Sequence, residues 1–88
     1  MSRTSTLTPR GQRLRANLGE GIRRARRDKG LKVRDVCYRA GVSLGYWCEI
    51  ERGQKQASFD VLDRVCAALD VDMARLFSYM FKDDDYDN

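Results

Sequence analysis

The chain has 88 residues, with no histidine, a single proline and no Cys-x-x-Cys pair. Without histidine, zinc ligation of the mixed Cys/His kind is excluded. The three cysteines, Cys37, Cys48 and Cys66, leave an all-thiolate site one ligand short. The usual general base is absent as well, and no serine stands in a nucleophile-elbow pattern. These absences predict a protein that is not an enzyme and needs no metal or cofactor. No stretch approaches the roughly 18 apolar residues of a membrane span, and no apolar run near the N-terminus resembles a secretory signal. The expectation is a cytoplasmic protein with no membrane contact. Acidic residues are scarce in the front of the chain: residues 1–55 hold fourteen Lys/Arg against five Asp/Glu, whereas residues 56–88 hold three against eight. A basic front with an acidic end suits a module that faces phosphates.

What is present fits one small domain, near the size at which a single core just suffices. Apolar residues make up 42% and charged residues 34%, an ordinary globular balance far from that of a disordered chain. Residues 1–8 read as a flexible arm, 9–82 as the folded domain and 83–88 as a solvated acidic tail. Thr8-Pro9 signals a helix start, and Leu14, Leu18, Ile22 and Ala25 share one face of a helix reaching about Lys29. Gly11, Gly19 and Gly21 each weaken it by up to about 1 kcal/mol, so a break near Asn17 is expected. Arg23, Arg24, Arg26 and Arg27 lie on its outer side; two are expected to reach a phosphate backbone and the others to be solvated. Ser58 caps a later helix with Phe59, Leu62, Val65, Cys66 and Leu69 on its apolar face, and Asp72 caps a last one from Met73 to about Phe81. Cys37 and Cys66 fall on buried faces as small hydrophobes, and Cys48 on an exposed one.

The informative stretch is Val33 to Gly53, VRDVCYRAGVSLGYWCEIERG. It reads as two short amphipathic helices hinged at Ala40-Gly41-Val42. Val36, Cys37 and Ala40 line the inner face of the first helix, and Trp47 and Ile50 that of the second. Gly41 supplies a positive φ for the sharp turn, and Ser43 caps the new helix. This is a helix-turn-helix pattern, with Leu44, Gly45, Tyr46, Cys48, Glu49 and Arg52 facing outward. The reading is an all-α, compact five-helix domain that binds DNA in a sequence-specific way.

AGVS at the turn, IERG closing the second helix, a serine opening the next and the ALDV ending together resemble the helix-turn-helix domain of phage repressors and Cro-like regulators, the XRE family. Within it, SLGYWCEIERGQKQAS is similar to actinobacterial regulators of Clp protease genes, which are activators. The resemblance implies a lambda-repressor-like fold, double-stranded DNA as partner and a homodimer on a palindromic operator, with the 43–52 helix in the major groove. By position it implies Leu44, Gly45, Tyr46 and Glu49 as base-reading residues, with Ser43, Arg52 and Lys55 near phosphates. Many relatives begin the first helix of the pair with a glutamine; here it is Val33, with Lys32 and Arg34 beside it to take over the backbone contact.

Several of these residues have a plainer reading. Trp47 belongs to the core with Val36, Cys37, Gly41, Val42 and Ile50, not between bases. Tyr46 either touches DNA or packs at the rim, and Glu49 either accepts from a cytosine amino group or pairs with Arg52. Phe77, Tyr79, Met80 and Phe81 exceed what so small a core needs, and Phe77, Met80 and Phe81 are the candidates for a dimerisation patch. With no separate ligand-binding domain, control is expected to lie in abundance, turnover or a partner such as RNA polymerase or a protease. The competing reading keeps the fold but docks a protein, as an antitoxin or an RNA-polymerase-binding adaptor.

Overall fold

A computed structural model describes residues 7–81, so most of the arm expected at 1–8 and all of the acidic tail expected at 83–88 lie outside the described residues. Five helices follow one another: α1 (Pro9–Asp28), α2 (Val33–Ala40), α3 (Leu44–Glu51), α4 (Phe59–Leu69) and α5 (Met73–Met80). Among the described residues there is no strand, in keeping with the all-α expectation.

The helix ends follow from local chemistry. Thr8, Ser43, Ser58 and Asp72 each accept, through a side-chain oxygen, the N–H three residues on, at 3.0, 3.0, 3.2 and 2.8 Å. Each satisfies one donor that the first turn leaves without a partner. Lys32, before α2, makes no such bond. The stops share one device as well. After α1, α2 and α3 the chain turns through a glycine at positive φ, Gly30, Gly41 or Gly53. The two N–H groups that follow fold back, as in Gln54 N–H to the Glu49 carbonyl at 2.8 Å and Gly53 N–H to that of Ile50 at 3.0 Å. Asp70 does the same for α4 at φ 59°.

α3 packs against α1 and α2, α2 packs against α4, and α5 returns along α1. The core gathers Ile22 and Ala25 from α1, Val36, Cys37 and Ala40 from α2, Trp47 and Ile50 from α3, Leu62, Val65, Cys66, Ala68 and Leu69 from α4, and Leu76 and Tyr79 from α5. Burial raises the thiol pKa of both Cys37 and Cys66, which keeps them protonated among apolar neighbours.

Three expectations are corrected. The break near Asn17 does not occur, and α1 runs unbroken for 20 residues. Two of its glycines are points of close approach: a Cβ on Gly19 would run into the backbone carbonyls of Ile50 and Glu51, and one on Gly21 would lie 2.6 Å from Met80 Cγ. Contacts with α3 and α5 therefore offset their weak helix propensity. Phe59 is 85% exposed instead of core-facing, because the first residue of α4 borders an open groove between α1, α4 and α5. Tyr79, expected among the surplus apolar residues of the self-association patch, is instead buried; its hydroxyl donates to Asp28 Oδ2 at 2.5 Å and ties α5 to the end of α1.

Candidate nucleic-acid interface

α3 is fixed from behind. Trp47 and Ile50, each 1% exposed, point into the core, and the adjoining carbonyls of Ile50 and Glu51 rest on Gly19 of α1. Glu51 is the hub of that attachment. Its carboxylate accepts from Trp47 Nε1 at 2.6 Å and from Arg26 Nε and Nη2 at 2.8 and 3.2 Å, with Arg23 Nε at 3.8 Å. Arg26 also donates to the Leu31 carbonyl at 3.1 Å, so one guanidinium joins α1, the turn before α2 and the end of α3. A carboxylate this buried requires such partners. Sequence reasoning passed over Glu51, although Trp47 and Glu51 sit at i and i+4, the spacing that places an indole N–H beside a carboxylate on one helical face.

The opposite side of α3 is open. Leu44 is 54% exposed, Gly45 has no atom within 4 Å of where a Cβ would stand, Cys48 and Glu49 are half-buried, and Arg52 is exposed. No acidic residue occupies the first turn of α3, so the positive end of its dipole is uncompensated. Ser43 lies at that end; its Oγ accepts the Tyr46 N–H, which leaves its own proton available to a phosphate oxygen. Tyr46 is half-buried, and its hydroxyl donates to the Gln56 carbonyl at 3.2 Å, so the ring leans on the loop that follows α3. Val42 is half-buried and Gly41 exposed at the hinge, while Val36 and Cys37 are buried beneath it.

The cations are engaged to different degrees: Arg10, Arg13, Arg15 and Arg27 of α1 have no ion-pair partner among the described residues, and Arg75 lies over the Tyr79 ring. Arg23 and Arg24 both pair with Glu20, Arg24 also reaches the Tyr79 carbonyl, and Arg26 is held by Glu51. Lys29 and Arg39 donate to the Asp70 and Ala68 carbonyls at the end of α4, and Arg64 to that of Ala40 at the end of α2. These arginines and lysines complete helix ends and internal ion pairs. Three of the four α1 arginines expected on an outer face are thus engaged within the fold. By contrast Lys32, Arg34, Arg52 and Lys55 are exposed and have no ion-pair partner among the described residues. They flank α2 and α3. No group of residues suited to a metal ion occurs among the described residues, and no helix is long and apolar enough to cross a membrane.

Residues 17–76 match the family model described as a helix-turn-helix domain. The transcriptional regulator ClgR of Mycobacterium tuberculosis is 41% identical over 61 residues, which are 69% of this chain and 54% of that protein. The chain therefore spans about half the length of the curated relatives it matches. The crystal structure of the clp gene regulator ClgR from Corynebacterium glutamicum superposes with a TM-score of 0.73 at 39% identity, covering 76% of this chain and 86% of that one. The restriction-modification controller protein C.AhdI from Aeromonas hydrophila gives 0.68 at 29% identity, over 70% and 94% of the two chains. With its turn at Gly41, its α3 anchored through Glu51 and most of its described length matched to that model, the chain belongs to the helix-turn-helix domain family.

Proposed function

We propose that the protein is a sequence-specific, DNA-binding transcriptional regulator that lays α3 in the major groove of an operator. The carrying observation is that Lys32, Arg34, Arg52 and Lys55, which border the open side of α3, are exposed and without ion pairs among the described residues, whereas Arg23, Arg24, Arg26, Lys29, Arg39 and Arg64 are held by the protein itself. Lys32, Arg34, Arg52 and Lys55 would then neutralise phosphates on either side of the groove, Ser43 would donate a hydrogen bond to one, and together they would fix the register. Leu44 offers an apolar contact to a thymine methyl, Gly45 lets the helix approach closely, and Glu49 accepts from a cytosine amino group. Tyr46 contributes its ring edge, since its hydroxyl is engaged by Gln56. The ClgR relatives, named as transcriptional and clp gene regulators, support a regulatory and non-enzymatic role.

A homodimer on a palindrome completes this reading. Phe77 and Phe81 remain 48% and 55% exposed and pack edge to face with their centroids 6.4 Å apart, with Met80 half-buried beside them. Two copies joined there would bind half-sites about one helical turn apart. Sequencing the DNA fragments that co-purify with the protein tests the assignment: a recurring palindrome is expected, with affinity that falls steeply as salt rises. Random fragments, or a target bound with little response to salt, would replace it with the protein-docking reading. Sedimentation of Phe77→Ser beside the parent chain tests the dimer, the variant being expected to sediment as a monomer.

A further inference from the structure

The family model matches from residue 17, yet α1 begins at Pro9, so about two helical turns precede the shared domain. They carry Arg10, Arg13 and Arg15, none of which has an ion-pair partner among the described residues. Arg15 differs from the other two in lying against the loop that follows α3. Gly53 opens that loop pressed on α1: a Cβ there would lie 2.9 Å from Ala16 Cα. Gln56 and Ala57, at its far end, border the same groove as Arg15. The loop therefore runs past Arg15 with Lys55 in its middle. Arg15 is half-buried, whereas Arg10 and Arg13 are exposed. Within its side chain only Nε is shut away from water without a partner. The two terminal nitrogens make no hydrogen bond among the described residues and remain at the surface. The stem is thus held while the fork stays open, and no carboxylate balances its charge. Arg64 also has an unpartnered Nε, but its terminal nitrogens bond the Ala40 carbonyl and Asp60. A guanidinium anchored by its stem with both terminal nitrogens free is complementary to a phosphate.

We infer that Arg15 is a phosphate-binding residue of the DNA interface, which extends that interface from the 52–55 segment onto the first turns of α1. This role rests on the DNA-binding reading and adds to it a contact from outside the shared domain. Lys55 and Arg15 reach the backbone from adjoining elements, one on a loop and one on the helix to which that loop is pinned through Gly53 and Ala16. Lys55 offers a point charge on a flexible stem. Arg15 offers a planar fork whose stem is already packed, so it loses less side-chain freedom on binding. A phosphate contact carries no base information. It raises affinity for every sequence alike and lengthens the footprint beyond what α3 covers.

The test is binding of the full 88-residue chain to a mixed-sequence DNA duplex over a series of salt concentrations, with thermal melts and sedimentation on each variant. Arg15→Gln should weaken binding roughly tenfold at low salt and reduce the salt slope by about one. Arg15→Lys keeps the charge and should restore the slope, with affinity still below that of the parent chain. Arg75→Gln removes an equal charge from α5, where Arg75 lies over the Tyr79 ring, and should leave the slope unchanged. Equal falls in slope for Arg15→Gln and Arg75→Gln would overturn the role of Arg15, since net charge alone would account for them. An unchanged slope in Arg15→Gln beside a reduced one in Arg52→Ala would overturn it as well and leave the DNA-binding reading intact. So would a loss in Arg15→Gln and Arg15→Lys alike, accompanied by altered melting or sedimentation, which would assign the side chain to the fold or the dimer. A parent chain that bound no duplex at all would overturn the DNA-binding reading itself, and this role with it.

Discussion

The Trp47 indole donates to Glu51 one turn further along the same helix, across 2.6 Å, and Arg26 of α1 grips the same carboxylate. A helix of eight residues has little stability of its own. This bond and its arginine turn it into a rigid part of the scaffold, with its outer face set by what lies behind it.

Replacing Glu51 by leucine leaves the indole N–H buried without a partner and the Arg26 guanidinium with the Leu31 carbonyl but no counter-charge. The expected loss is about 3–5 kcal/mol, a large part of the stability of so small a domain. Urea unfolding followed by Trp47 fluorescence measures it. Adding Arg26→Met should recover the part of the loss due to the uncompensated guanidinium, because two apolar side chains can replace a buried ion pair, while the unpaired indole N–H keeps about 1–3 kcal/mol of it. If the double variant were as unstable as the single one, the pair would have to matter for something beyond mutual neutralisation.

Glycines of similar appearance should respond in opposite ways. Gly19→Ala forces α1 and α3 apart and should lower stability by about 1–3 kcal/mol, with weaker binding to any DNA target. Gly45→Ala meets open space within α3 and should raise stability by up to about 1 kcal/mol through helix propensity, while its methyl group reduces operator affinity. Thermal melts and a binding isotherm on each variant separate the two effects.

On the proposed DNA face, Glu49→Ala should relax preference at one base pair by roughly 1–3 kcal/mol of discrimination. Arg52→Ala and Lys55→Ala should weaken all sequences alike and each reduce the salt slope by about one. Competition binding with singly substituted operators distinguishes the patterns. An unchanged preference in the Glu49 variant would return that side chain to a surface pairing with Arg52.

Tyr79 carries a pH signature. Its bond to Asp28, followed by burial, raises the hydroxyl pKa above the ordinary 10. The folded state therefore holds this proton more tightly than the unfolded chain. The stability it contributes is complete below pH 10 and is lost as pH rises through the folded-state value. Tyr79→Phe should lower stability by about 1 kcal/mol near neutrality and flatten the alkaline decline. Urea midpoints measured from pH 8 to 11 on both proteins provide the check.

The legible parts of this fold were those encoded within a few residues. Thr8, Ser43, Ser58 and Asp72 as caps, and Gly41 as a stop, could be read because each acts on its own neighbours. The hinge at Gly41 and the inward side of α3 were legible for the same reason. What escaped depends on residues far apart in the chain. Gly19 looks like a weak point in α1 until α3 is laid across it, and Glu51 looks like a surface charge until Arg26 arrives from 25 positions away. Phe59 has the right spacing for a core residue but stands where no helix covers it. The Tyr46 hydroxyl was offered DNA or rim packing, and the loop carbonyl at Gln56 gives the second a specific partner.

Gly19 has a wider consequence. Because the backbone of α3 rests on that bare position, its placement owes little to the side chains on its far side. On the proposed DNA-binding reading, Leu44, Gly45, Cys48 and Glu49 could be exchanged as a set, like the bits of a key on an unchanged shank, to redirect the molecule to a different address while it folds as before.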